Sequence, residues 1–211
     1  MTIDRVLDWL RGGGPWAEPP RTIETHAAYV FLADGFAYKM KKSVDLGYLD
    51  FTSLERRRKA LSQELALNAR TAPAMYLRLV PVVERRGALA LGGEGPVVEW
   101  LLEMRRFPDG ALLAEVADRG ELTETMVEQL AAHAAGFHDH AEIASAYNWP
   151  AAIARIAREN SDDLMDQRTT FPGRDLGRTV AARQALLGAC ADALARQSAD
   201  VRRCHGDMHL G

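Results

Sequence analysis

Cysteine is scarce in this chain of 211 residues, which holds only Cys190 and Cys204. Two cysteines exclude a disulfide scaffold. Long apolar runs are also missing. No stretch approaches the roughly 20 residues that a membrane helix needs, and the most apolar windows, such as VVEWLLEM, are broken by Glu. Neither sign of charge dominates. Twenty-six Lys and Arg against 29 Asp and Glu leave a net charge of -3, which gives no electrostatic basis for binding nucleic acid. The opening residues MTIDRVLDWLRGGG carry Asp4, Arg5 and Asp8 where a secretory signal has an uninterrupted apolar core. The expected location is therefore the cytoplasm. What is present is the balance of a folded globular chain, 47% hydrophobic and 26% charged, which excludes a disordered one.

Periodicity organises the rest. Ile3, Val6, Leu7 and Leu10 follow helical spacing and predict a short amphipathic helix, closed by Gly12–Gly14 and the prolines that follow. TIETHAAYVFL and FAYKMKK read as two strands joined at Asp34-Gly35. LDFTSLERRRKALSQELALNARTAP changes to a helical period, with Thr52 or Ser53 as its cap. YLRLVPVVER and ALALGGEGPVVEWLLEMRRF read as two further strands. The GGEG within the second is expected to be a hairpin turn rather than a phosphate loop, because no helix start follows it. ALLAEVADRG is a short helix, Thr123 or Thr125 caps a longer one, Asn148 and Pro150 open another, and TVAARQALLGACADALARQ is a long amphipathic helix. Strands gather in the first half around one helix, and helices fill the second. The fold class is α+β, in two lobes. The expected divisions are an N-terminal helix and linker (1–20), a small antiparallel β lobe with one helix (21–107), and a mainly helical large lobe (108–211).

The chemistry-bearing motif is VRRCHGDMHLG, in which Asp207 stands between His205 and His209. A carboxylate needs no activation to accept the proton of a hydroxyl that attacks a phosphoryl group. His133, His138 and His140 do not share a helix face and are read as no metal site. On spacing alone, Lys39 and Lys41 also fit exposed strand lysines, and Glu64 fits a solvated helix charge. A hydrolase built on His205 and Asp207 lacks a recognisable nucleophile elbow.

HGDMHLG resembles the catalytic loop HGDxHxxN of the aminoglycoside phosphotransferase-like kinases, distant relatives of the protein kinases. FAYKMKK, SQELALN and EWLLEMRRF follow the family's order of lysine strand, glutamate helix and lobe junction. ETHxxxVFL, YKMKKSVDLGYLDF, LGGEGPVVE and MRRFP resemble more closely a bacterial phosphotransferase-like domain often fused to a P-loop kinase. The resemblance runs from about Ile23 to Gly211. It implies a protein-kinase-like two-lobed fold and ATP-dependent transfer to a small-molecule hydroxyl. Lys39, with Lys41 as its rival, would hold the α/β-phosphates, and Glu64 would pair with it. Glu103, Met104 and Arg105, with Arg106, would line the adenine edge through backbone groups. Asp207 would deprotonate the acceptor, with His205 and His209 shaping the loop. The implied Mg2+ ligands lie beyond Gly211. GxxxxGK[ST] and GxGxxG are absent, and Asp34-Gly35 stands at the corresponding turn. The 211 residues alone are accordingly expected to show little or no transfer activity and to associate through an incomplete large lobe. The alternative reading is a non-catalytic nucleotide-binding or interaction module, or a degraded gene fragment.

Overall fold

A computed structural model describes residues 3–171, 175–197 and 200–204. Among these, the chain divides into one unit that runs to Leu122 and a second that begins at Thr123. The fold is α+β, with all the strands in the first unit.

The first unit begins with α1 (Ile3–Arg11). Six strands follow: β1 (Arg21–Glu24), β2 (Ala28–Ala33), β3 (Phe36–Lys41), β4 (Tyr76–Arg85), β5 (Ala88–Leu91) and β6 (Val97–Arg105). Between β3 and β4 runs α2 (Leu54–Asn68), and α3 (Leu113–Asp118) follows β6. The strands form one antiparallel sheet in the order β1-β2-β3-β6-β4-β5. The last strand in sequence is thus central. Its residues explain the placement, because Leu101 and Leu102 are adjacent, point to opposite faces and are both fully buried. Leu101 clusters with Val6, Leu7 and Leu10 of α1 and with Trp16, Phe31 and Met40. Leu102 stands opposite Lys39 in the β3–β6 ladder and therefore shares its face.

Two turns follow directly from composition. Asp34 and Gly35, at φ 51° and 78°, join β2 to β3, and Arg86 and Gly87, at φ 49° and 83°, join β4 to β5. Paired positive φ values make the twist of these two-residue turns match that of the strands.

Two expectations need correction. TIETHAAYVFL is not one strand. Thr25 interrupts it, its Oγ1 accepting the Ala28 N–H at 3.0 Å, so β1 folds back on β2 with Glu24 opposite Tyr29. GGEG is not a hairpin turn either. It separates β5 from β6, but those strands lie on opposite edges of β4, whose ten residues are long enough to serve both. The segment is a crossover.

The second unit contains α4 (Glu124–His140), α5 (Trp149–Asp166) and α6 (Leu176–Gln197), with a single 3-10 turn after α5. Thr123 Oγ1 accepts from the Met126 amide and Asn148 Oδ1 from the Ala151 amide, capping α4 and α5. After α6 the chain returns to pair Arg202 with Ile143. The Arg202 guanidinium donates to the carbonyls of Asp139 and Ala141, a cation at the C-terminal end of α4. Among the described residues, no helix is long and apolar enough to cross a membrane.

Candidate functional site

Alternation along β3 places Ala37, Lys39 and Lys41 on one face of the sheet. The same face receives Val30, which stands opposite Lys39, and Ile23, which stands opposite Val30. Above it lies α2, started by Ser53, whose hydroxyl accepts from the Arg56 amide at 3.2 Å.

From α2, Glu64 meets both lysines. Lys39 Nζ donates to Oε1 at 2.6 Å and Lys41 Nζ to Oε2 at 2.8 Å. The carboxylate is therefore shared between the two candidates. The environments differ, since Lys39 is the more exposed of the pair at 26% against 12%. Lys41 is also 5.3 Å from the centre of the Phe51 ring, a cation–π arrangement that holds it back. Burial works against ionisation of Glu64, yet the two ammonium groups and their hydrogen bonds outweigh it and hold the carboxyl below its usual range. Nearby, burial pushes the Tyr76 hydroxyl up, and the charge of Glu64 adds to the effect.

Beside this cluster on the same face is a cavity of about 310 Å³. Ile23, Val30, Leu32, Ala37 and Met104 form its apolar lining, and Arg21, Arg106 and Asp109 its polar rim. Apolar walls with a few polar groups at the edge are the usual make-up of a small-molecule site. The rim is internally tied, because Arg106 donates to both oxygens of Asp109 at 3.0 Å.

The strand residues named from sequence fall as follows. Glu103 is buried, and its carboxylate meets Arg78 at 3.1 Å. Met104 lines the cavity. The Arg105 amide is taken by the Met75 carbonyl and the Arg106 amide by the Gly35 carbonyl, so those two donors serve the fold. His205, Asp207 and His209 lie outside the described residues. Among the described residues, no group of three or more His, Cys, Asp or Glu is placed to hold a metal ion. His140 Nδ1 lies 2.7 Å from the carbonyl of Gly136 within its own helix.

Apart from Met104 and Arg106, sequence reasoning missed the cavity lining, and it missed one ion pair with both side chains buried. Val30 and Ala37 were legible in principle, since they share the parity of Lys39 across the β2–β3 register. The missed pair is Arg57 with Glu99. The Arg57 Nε and a terminal nitrogen reach one Glu99 oxygen at 2.9 and 2.8 Å, with both side chains buried.

Comparison with known proteins adds relatives without an assigned role. Uncharacterized proteins of Mycobacterium tuberculosis and Mycobacterium bovis are 32% identical over 145 residues, or 69% of this chain. The matched region spans 28% of each relative. The chain thus covers less than a third of the length of the curated relatives it matches. No family model and no solved structure matches it.

Proposed function

We propose that this protein is an ATP-dependent phosphotransferase acting on a small-molecule hydroxyl in the cytoplasm. In this reading it has a protein-kinase-like architecture of the aminoglycoside phosphotransferase-like kind. The observation that carries the reading is the Lys39–Glu64 contact of 2.6 Å on the same sheet face as an apolar cavity. A pair of this kind places an ammonium group where phosphates pass and fixes its direction.

The nucleotide base would enter between Ile23, Val30, Ala37 and Met104. The depth is set by Ala37, whose small side chain leaves room that a larger residue would fill. Lys39, more exposed than Lys41 and two residues further along the strand than Ala37, takes the phosphate role, and Lys41 keeps Glu64 charged and docked. In the transfer, the acceptor oxygen forms a bond to the γ-phosphorus and the bond to the β–γ bridging oxygen breaks. ADP leaves, and the acceptor proton passes to Asp207. Magnesium would neutralise charge on the transferring group.

Calorimetric titration of ADP and ATP into the full-length protein tests the reading. Lys39→Ala is expected to weaken binding about ten- to a hundredfold, the loss of one charge-assisted bond. Absence of binding to wild-type protein at millimolar nucleotide would overturn it.

A further inference from the structure

The helix that carries Glu64 is poorly anchored by apolar packing. Of the fifteen residues of α2, only Arg57 and Leu61 are buried. Leu61 lies four residues after Arg57 and Glu64 seven residues after it, so the three form one stripe along the helix. Each meets the sheet differently. Leu61 is fully buried, Glu64 takes the two lysines of β3, and Arg57 takes Glu99 of β6.

Arg57 does more than pair. Its Nη1 donates to the carbonyls of Phe51 and Thr52 at 3.0 and 3.1 Å. These residues end a small closed loop, tied where the Phe51 amide donates to the Val44 carbonyl at 2.8 Å. One buried guanidinium therefore fastens the central strand, the first turn of α2 and the foot of this loop. The partner is equally committed, because the second Glu99 oxygen accepts the Trp100 amide at 3.0 Å. Phe51, held by Arg57 at its carbonyl, offers its ring to Lys41. The neighbouring Arg58 lies 5.5 Å over the Trp100 ring, a second tie from the same turn to the same strand.

We propose that Arg57 and Glu99 are positioning residues, which set the orientation of α2 on the sheet so that Glu64 reaches Lys39 and Lys41. The inference rests on the phosphotransferase reading only for its consequence, namely that loss of the Arg57–Glu99 pair disorders phosphate binding without touching the nucleotide. A planar fork suits this task, since it satisfies a carboxylate and two carbonyls from one centre. A buried pair of this kind is often dispensable for stability when both members are replaced by apolar residues. Orientation and stability can therefore be separated by experiment.

The test is the double variant Arg57→Met with Glu99→Leu in the full-length protein. Circular dichroism reads the fold, and carbon-detected NMR reads the titration of the Glu64 carboxyl. The groups facing Glu64 are Lys39 and Lys41 from β3 and Tyr76 from β4. The expected result is a folded protein whose Glu64 titration rises toward the ordinary carboxylate range as the two ammonium groups lose contact with it, with ADP affinity falling alongside. A purely structural role would leave the titration of folded protein where it was, and that result overturns the inference. If the double variant does not fold, Arg57→Lys replaces it. Lysine keeps the charge for Glu99 and loses the fork, so a smaller rise is expected and an unchanged titration again overturns the inference. The readout needs no nucleotide. A shifted titration in a protein that binds neither ADP nor ATP would sink the phosphotransferase reading and leave the positioning role standing.

Discussion

The sheet unit and the helical unit are held together by different means. In the first, Phe31, Leu10, Met40, Leu61, Leu101 and Leu102 are all fully buried. In the second, the buried side chains among the described residues are Ala141, Ala152, Ser161 and Leu176. No residue of α4 is buried, and Met126, Val127, Leu130, Ile156 and Leu186 all stand exposed. The sheet unit rests on apolar burial, the main driving force of most folding. The helices lean more on intrinsic propensity and on their caps. The contact of Glu64 with Lys39 and Lys41 lies wholly in the better-packed unit, where lysines and a glutamate from separate elements can be kept in register.

Breaking the core of the first unit should have the largest effect. Phe31→Ala removes a ring packed beside Trp16 at 6.0 Å and is expected to cost about 3–5 kcal/mol. Urea unfolding followed by tryptophan emission checks this. Three of the four tryptophans, Trp9, Trp16 and Trp100, belong to that unit. A loss below about 1 kcal/mol would mean that the sheet is not the better-packed unit.

The two lysines sharpen the comparison within the site. Lys39→Ala should weaken ADP binding about ten- to a hundredfold, and Lys41→Ala by clearly less. Equal losses would make the phosphate site a two-lysine one. Glu64 gives the same site a signature in pH. Its carboxyl titrates below the usual 4.5 in the folded chain, so the unfolded chain takes up the proton first as pH falls. The stabilisation from this group is complete above the ordinary carboxylate range and is lost as pH falls through the folded value. Glu64→Gln should therefore be less stable than wild type at neutral pH, with the gap closing on acidification. A gap that stays constant down to pH 3 would show that the ion pair contributes nothing.

Capping tests the other unit. Asn148→Ala and Ser53→Ala each remove one acceptor for a first-turn amide, and each is expected to cost about 1 kcal/mol. If the helical unit depends on its caps, Asn148→Ala should shift its thermal transition more than Ser53→Ala shifts that of the sheet unit. The emission of Trp149, at the start of α5, and circular dichroism at 222 nm separate the two.

Much of this was legible in the residues. Asp34-Gly35 specified a turn because few pairs tolerate two positive φ values. Thr52 or Ser53, and Thr123 or Thr125, marked helix starts by their side-chain oxygens, and the caps fall to Ser53 and Thr123. Lys39, Lys41 and Glu64 were nameable because a strand alternates and the resemblance to the phosphotransferase-like kinases implied a glutamate on the next helix. The missed features depend on long-range pairing. Nothing local states that β6 inserts between β3 and β4, and without that order Glu99 has no visible partner for Arg57, 42 residues earlier. The break at Thr25 was hidden because Thr is also a good strand former, and only its side-chain bond to Ala28 turns the chain. The choice between Lys39 and Lys41 was beyond sequence, since equal parity gives both the same face, and what separates them is their different exposure and the Phe51 ring beside Lys41.

The smallest expected effect is the sharpest check on the comparison between units. Leu186 lies on α6 and is 63% exposed. A leucine already in water has little transfer free energy to lose, and glutamine is nearly as good a helix former. Leu186→Gln should therefore leave stability within about 0.5 kcal/mol of wild type, measured at low protein concentration and again at tenfold higher concentration. The same change at a covered leucine would bury an amide without a partner and cost far more. A loss above about 2 kcal/mol would show that α6 is covered in solution. If that loss appeared only at the higher concentration, the cover would be a second copy of the chain, as expected for association through this lobe. A loss at both concentrations would place the cover within the same polypeptide, and the helical unit would then be as dependent on burial as the sheet.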